Sequence, residues 1–423
     1  MTAEAEPKFR RIRRSASQAN LESRHQGREG RMLENALRTP PQGREGYSLT
    51  HGLHPYPARF HPNLPRTILK WLAQEHGDPP RLCDPFMGGG TLLVESLCRG
   101  WEVTGNDINP IAALVARERC RSRLPKHAVM VWNALEFLQN EVERRRRDKI
   151  RVEHPHLSML KTHYQPHIFA EMLQWSDCLE QLYPGPDRDT LRFVFSSLVG
   201  KFSRRIEEGN GGKKKEKGNF PRGAFSLWMQ RKTREVLERQ QDLSRRLPDP
   251  KMRPQIWQQD VQELSLPQGC DPFDCLITSP PYPGTYDYLD HHRLRLRWLH
   301  FSIQELALKE IGTRRQHSAA QWKEVFRTCM LKMRQVTVSG GHCFLVLGDW
   351  VDQSHKTDAL EYVEKYADSV GWAVEGAASV RRPVYEEQLK EDFGESGRWE
   401  HLIWLRNQVQ ARPPSSIPTE EEE

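Results

Sequence analysis

Residues 79–97 read PPRLCDPFMGGGTLLVESL. A short apolar run ends at Asp84-Pro85, a triple glycine follows at 88–90, and a mostly apolar stretch of helical length begins at Thr91. The pattern predicts a strand, a tight loop and a helix. The next stretch, WEVTGNDINPIAALVARERC, predicts the same succession with an acidic corner at Asn106-Asp107. Strands that alternate with helices indicate an α/β fold around a mainly parallel sheet. Glycines let the backbone turn sharply and let a ligand come close, and a helix start offers free N–H groups. An acid at the end of the second strand is placed to accept hydrogen bonds from both hydroxyls of a ribose. No lysine follows the glycines, which argues against a phosphate-gripping Walker loop. The pair of corners therefore points to a nucleoside-containing cofactor held without a tight phosphate clamp.

A second corner lies far downstream. Asp274-Cys275-Leu276-Ile277 predicts a further parallel strand, and it runs into Thr278-Ser279-Pro280-Pro281-Tyr282. Ligand chemistry in open α/β sheets gathers at the carboxyl ends of strands. Prolines fix φ and remove N–H donors, so the corner presents carbonyl acceptors. Those acceptors and the Ser279 hydroxyl suit an exocyclic amine on a planar ring, with the face of Tyr282 available for stacking. Alone, such a corner is also consistent with a stiff surface turn.

Taken in order, these motifs resemble those of the amino-group DNA methyltransferases that use S-adenosylmethionine. HPYPARFHP (54–62) resembles that family's N-terminal cofactor motif and DPFMGGGT its glycine loop, although many members carry Ser where Gly89 stands. DINP resembles the ribose acid, QQDVQEL the adenine-contacting segment and TSPPY the catalytic corner. The resemblance covers roughly residues 47–135 and 251–405. It implies a Rossmann-like methyltransferase fold with a largely helical insertion. Its implied cofactor residues are Tyr56, Pro57, Phe60, Asp84, Pro85, Phe86, Gly88, Gly90, Thr91, Asp107, Ile108, Asp260 and Val261. Ser279, Pro280, Pro281 and Tyr282 are the implied catalytic residues. The Ser form of the corner is typical of members that methylate the N4 amine of cytosine. An N6-adenine enzyme, an RNA base methyltransferase and a non-catalytic nucleic-acid-binding protein remain as alternatives. The implied partner is duplex DNA with the target base flipped out of the stack. A cognate restriction enzyme is a further partner that the resemblance leaves open.

Composition frames the rest. The chain has 423 residues and a net charge of +7, a balance that suits a polyanionic partner. Residues 1–46 are arginine-rich and poor in large apolar side chains, which predicts a disordered basic arm. Residues 47–135 form the expected cofactor half. Residues 136–250 carry ERRRRDK and EEGNGGKKKEKGN, and predict a helical basic insertion that reads DNA. Lys213, Lys214 and Lys215 are its expected phosphate contacts, with Phe220, Phe225 and Trp228 as nearby aromatics. Residues 251–408 form the expected catalytic half, and 409–423 an acidic disordered tail. Eight scattered cysteines without a CxxC pair predict buried thiols and no metal site. The absence of a long apolar run or an N-terminal apolar leader predicts no membrane span, and a cytoplasmic protein associated with the nucleoid.

Overall fold

The computed structural model describes residues 21–23, 27–38, 48–57, 60–204, 219–283, 288–311, 319–352, 355–382, 384, 387–394 and 397–408. Two short segments open the described chain: strand β1 (Leu21–Ser23) and helix α1 (Arg28–Leu37). Helix α2 (Asn63–Glu75) then leads to the alternation expected from the sequence: β2 (Leu82–Asp84), α3 (Thr91–Leu97), β3 (Val103–Asn106) and α4 (Pro110–Arg119). Asn109 caps α4 by accepting from the Ile111 N–H at 2.9 Å, and Pro110 supplies a helical φ at the first turn.

Five helices follow before the sheet resumes: α5 (Pro125–Arg147), α6 (Leu157–Lys161), α7 (Pro166–Gln181), α8 (Pro186–Phe202) and α9 (Ala224–Arg246). Then come β4 (Gln255–Trp257), β5 (Phe273–Thr278), α10 (Tyr288–Trp298), α11 (Ile303–Lys309), α12 (Ala319–Gln335) and β6 (Thr337–Gly348). A small hairpin of β7 (Trp350–Asp352) and β8 (His355–Thr357) precedes α13 (Ala359–Tyr366), β9 (Trp372–Arg382), α14 (Glu387–Phe393) and β10 (Arg398–Asn407).

The large sheet has the order β1-β9-β10-β6-β5-β2-β3-β4. The strands β4, β3, β2, β5 and β6 pair in parallel, and β10 enters antiparallel between β6 and β9. This is the Rossmann-like α/β architecture with a mainly parallel sheet. The chain winds outward from β2 to β4 on one side, then restarts at β5 on the other side of β2. The order therefore reverses between β2 and β5, where the crevice of such sheets lies. The residues of β5 are buried throughout apart from the partly covered Asp274, as a central parallel strand requires.

The first 46 residues need a correction. Part of the expected arm is structured: β1 pairs with β9, and α1 buries Met32, Leu33, Ala36 and Leu37 against the sheet-side core. Those residues form one stripe at helical spacing, and their partners lie elsewhere in the chain. Lys213, Lys214 and Lys215 fall outside the described residues, as does the tail 409–423. Among the described residues no helix is long and apolar enough to cross a membrane.

The helical unit has its own core around Trp175, Phe193, Phe195, Phe202 and Phe225. Phe225, named above as an aromatic beside the expected phosphate contacts, is fully buried there, and Phe220 packs on Phe202 with ring centroids 4.5 Å apart. The core also takes in Trp298 from α10, whose indole N–H donates to the Tyr164 hydroxyl at 3.0 Å. The helix that follows the TSPPY corner is thereby anchored in the helical unit. A buried polar cluster fixes that unit to α4. The Glu118 carboxylate accepts from Thr190 Oγ1 at 2.8 Å and Gln240 Nε2 at 3.1 Å.

Candidate active site

At the switch point the ends of β2 and β5 are tied together. The Thr278 hydroxyl donates to Asp84 Oδ1 at 2.6 Å, and the Phe86 N–H donates to the same oxygen at 3.1 Å. Asp84 is fully buried, and burial pushes its carboxyl up to about 7. It thus joins the glycine loop to the TSPPY corner and is not among the residues that line the cleft.

The loop itself is shaped by close approach. Gly90 has φ 72°, a left-handed conformation, and a Cβ there would sit 2.9 Å from the Ala116 Cβ on α4. Asn106, at the end of β3, donates to the carbonyls of Pro85 (3.2 Å) and Gln259 (3.0 Å) and accepts from the Gln259 N–H (2.8 Å). One buried amide thereby sets the spacing between the glycine loop and the segment after β4. Arg119, fully buried, does the same for the N-terminal loop. Its guanidinium donates to the Gly89 carbonyl at 2.7 Å and the His54 carbonyl at 2.8 Å. A Cβ on Gly89 would lie 2.2 Å from the Arg119 guanidinium, so a side chain at this position would have to displace it.

These ties frame a cleft of about 830 Å³, counted out to its open mouth. Tyr56, Pro85, Phe86, Gly88, Asp107, Ile108, Asp260, Val261, Ser279 and Pro281 all line it. Residues from five separate stretches of sequence thus meet in one place. Asp107 Oδ2 accepts from the Gly88 N–H at 3.0 Å and Oδ1 from the Asn109 N–H at 2.9 Å. Those bonds fix the carboxylate, while burial pushes its carboxyl up to about 6. The ring of Tyr56 is held against His292 of α10 at 4.7 Å between centroids. Asn109 and Gln259, within the quoted DINP and QQDVQEL motifs, also line it, and further lining residues were not expected: Leu289 and the Lys309-Glu310-Ile311 stretch at the end of α11. The Leu289 N–H donates to Glu310 Oε1 at 2.7 Å, which joins that wall to the start of α10. A tertiary contact of this kind leaves no local signal.

Several expected residues sit elsewhere. Gly90 and Thr91 begin α3 behind the loop, Phe60 packs against the sheet-side core, and Pro57 faces a different hollow. Pro280 and Tyr282 are not among the cleft residues. The Tyr282 ring is buried, with the Arg398 guanidinium 5.1 Å from its centroid. A Cβ on Gly348 would come within 3.0 Å of it. The expected stacking face is thus taken up by β6 and β10. The Tyr282 hydroxyl instead accepts from Ser279 Oγ at 3.3 Å, and the Pro281 carbonyl accepts from the Trp322 indole at 3.2 Å.

All eight cysteines are unpaired thiols, and Cys275 is buried within β5. Asp349, Asp358 and His401 bring ligand-type atoms within 4.8 Å of one another, but these atoms are already engaged. His401 contacts Ser379 Oγ (2.7 Å) and Asp349 (2.9 Å), Asp349 accepts from the Ala359 N–H (3.0 Å), and Asp358 caps α13.

No protein-family model matches the chain. Among curated proteins it matches the Type II methyltransferase M.MvaI of Kocuria varians, at 25% identity over 272 residues, covering 61% of this chain and 59% of that protein. It also matches the Type II methyltransferase M.BsoBI of Geobacillus stearothermophilus, at 26% identity over 287 residues, covering 60% and 53% respectively. The chain is similar to Type II methyltransferases. It spans between about half and three-fifths of the length of these two relatives. Among solved structures, TrmN from Thermus thermophilus is similar with a TM-score of 0.31 and 11% identity, covering 83% of this chain and 50% of that one. The rRNA methyltransferase aviRa from Streptomyces viridochromogenes gives a TM-score of 0.34 and 12% identity, with 88% and 96% covered. Scores this low bear on neither substrate nor mechanism.

Proposed function

We propose that the chain is a DNA methyltransferase that moves a methyl group from S-adenosylmethionine to the exocyclic N4 amine of cytosine. The observation that carries this reading is the meeting of Asp107 and Ser279 in one cleft, one from the glycine-loop half and one from the TSPPY corner. The Type II methyltransferase relatives support transfer to DNA.

The residues suit the cofactor. Asp107 is a fixed carboxylate for the ribose hydroxyls, Ile108 and Val261 are apolar walls for the adenine, and Tyr56 and Phe86 border the remaining space. S-adenosylmethionine supplies a sulfonium methyl group, whose C–S electron pair stays on sulfur as the new N–C bond forms. Ser279 orients the amine so that its lone pair faces the methyl carbon. Tyr282 holds the Ser279 hydroxyl from behind. Asp84 and Thr278 keep the two corners at constant separation. Catalysis then rests on proximity and alignment, and the amine loses its proton to water after transfer. In duplex DNA the target base leaves the stack to enter the cleft, at a cost of a few kcal/mol. The reading places the protein at the nucleoid, in the cytoplasm.

The test is methyl incorporation from labelled S-adenosylmethionine into duplex DNA and into RNA, by the wild type and by Ser279→Ala. Label in DNA that falls at least about tenfold in the variant, the loss expected for about 1.4 kcal/mol of transition-state alignment, supports the reading. Label in RNA alone, or an unaffected variant, overturns it.

A further inference from the structure

Three strand ends meet beside the cleft. In the sheet, β3 lies between β2 and β4. Neighbouring strands lie ~4.8 Å apart, so the chain leaves β2 and β4 ~10 Å from each other, and beyond the strand ends no ladder holds the two segments. Both segments wall the cleft: Pro85, Phe86 and Gly88 follow β2, and Gln259, Asp260 and Val261 follow β4. Asn106, the last residue of β3, bridges them and is fully buried. Its carboxamide pairs with the peptide groups around Gln259 as a further strand would, donating to the Gln259 carbonyl at 3.0 Å and accepting from the Gln259 N–H at 2.8 Å. The same Nδ2 also donates to the Pro85 carbonyl at 3.2 Å. The main chain adds to this: the Asn106 carbonyl accepts from the Met87 N–H at 2.9 Å, and the Asp107 N–H donates to the Trp257 carbonyl at 3.3 Å. An amine that faces two carbonyls, beside an oxygen that faces an N–H, requires a carboxamide. An ionised carboxylate of the same shape has no donor, and an aliphatic side chain has neither group.

We infer that Asn106 is a positioning residue for S-adenosylmethionine, which sets cofactor affinity by holding the glycine loop and the Gln259–Val261 segment at a fixed separation. Asn106 is not among the residues that line the cleft, so it acts through those that do. This role rests on the cofactor reading of the cleft and deepens it. A ligand that enters between preformed walls spends no free energy on ordering them. Without the carboxamide, the two segments are joined to β3 only by the main-chain bonds of Met87 and Asp107. Each must then be ordered as the nucleoside enters. The effect belongs to the adenosyl part of the ligand, because these are the segments assigned to the nucleoside. S-adenosylhomocysteine, which carries the same adenosyl group, should therefore respond as S-adenosylmethionine does.

The experiment is titration calorimetry of S-adenosylmethionine and S-adenosylhomocysteine into the wild type, Asn106→Asp, Asn106→Ala and Leu33→Ala. Asn106→Asp keeps the shape and loses the donors, and Asn106→Ala removes the bridge without placing an ionised group in the core. Leu33→Ala, a core truncation on α1 outside the cleft, is the control for lost stability. Thermal melts and the binding stoichiometry give the folded fraction, so that each Kd refers to folded protein. Both Asn106 variants should raise Kd about tenfold, by the same factor for both ligands, through the loss of preorganisation. Leu33→Ala should lower the stoichiometry at most and leave Kd at the wild-type value. A wild-type Kd in folded Asn106→Ala overturns the positioning role and leaves the cofactor reading standing. So does an equal rise in Leu33→Ala, or a failure of both Asn106 variants to fold, since Asn106 then serves stability alone. A wild type that binds neither ligand overturns the positioning role and the cofactor reading together.

Discussion

Asp107 carries the cofactor side of the account at a single carboxylate. It is fixed by two backbone N–H groups and lines the cleft. Asp107→Ala should weaken S-adenosylmethionine binding by about 10- to 150-fold, the loss of roughly 1.5–3 kcal/mol for hydrogen bonds to a charged group. Titration calorimetry on the folded variant measures this directly. The pH dependence has a definite sign. Hydroxyl groups donate to the ionised carboxylate, and burial sets its pKa at about 6. Wild-type affinity should be flat above that value and fall as the pH drops through it, while Asp107→Ala lacks this limb. The second residue-level prediction concerns Gly89 and Arg119. Gly89→Ser forces an atom to within 2.2 Å of the buried guanidinium and should destabilise the fold by about 1–3 kcal/mol. In an Arg119→Ala background the same change should cost less. Denaturant melts of the four proteins should give a coupling energy of about 0.5–3 kcal/mol; strict additivity would mean that the two sites are independent.

At the level of elements, the neglected N-terminal helix has a clear consequence. Leu33 is fully buried between α1 and the sheet-side core. Leu33→Ala should cost about 2–5 kcal/mol in a urea melt, as a core truncation does; a cost near zero would restore the reading of this segment as a loose arm. The same helix shows what the sequence could and could not convey. The glycine loop and the TSPPY corner were legible because their chemistry is local: small residues at a turn, imino acids at a strand end, an acid at the next strand end. Helix α1 was not, because its single apolar stripe has meaning only against partners outside its own segment, on α2 and β9. Strand β9 went unread for a related reason, its run of small residues broken by Glu375 and Gly376. The packing of Tyr282 was also invisible, since Gly348 and Arg398 belong to β6 and β10. A ring that reads as a stacking face in the motif is a buried support in the fold. The cleft wall at Lys309–Ile311 falls in the same class.

At the scale of the whole molecule, two halves of a sheet and a helical unit are joined around the cleft. Asp84 and Thr278 couple the halves across the switch point, and Glu118 and Trp298 mount the helices beside the cleft. The mainly parallel sheet was foreseeable from the alternation of strands and helices, whereas the mounting was not, because a buried polar cluster assembled from α4, α8 and α9 has no pattern in any one segment. The central claim is that this assembly delivers a cytosine amine to Ser279 beside a bound methyl donor. The most direct measurement is mass spectrometry of nucleosides from unmethylated DNA incubated with the purified protein and S-adenosylmethionine. The expected product is N4-methylcytosine, formed at least about tenfold more slowly when Ser279→Ala replaces the wild type. N6-methyladenine in its place, or no methylated nucleoside from a protein that binds the cofactor, would contradict it.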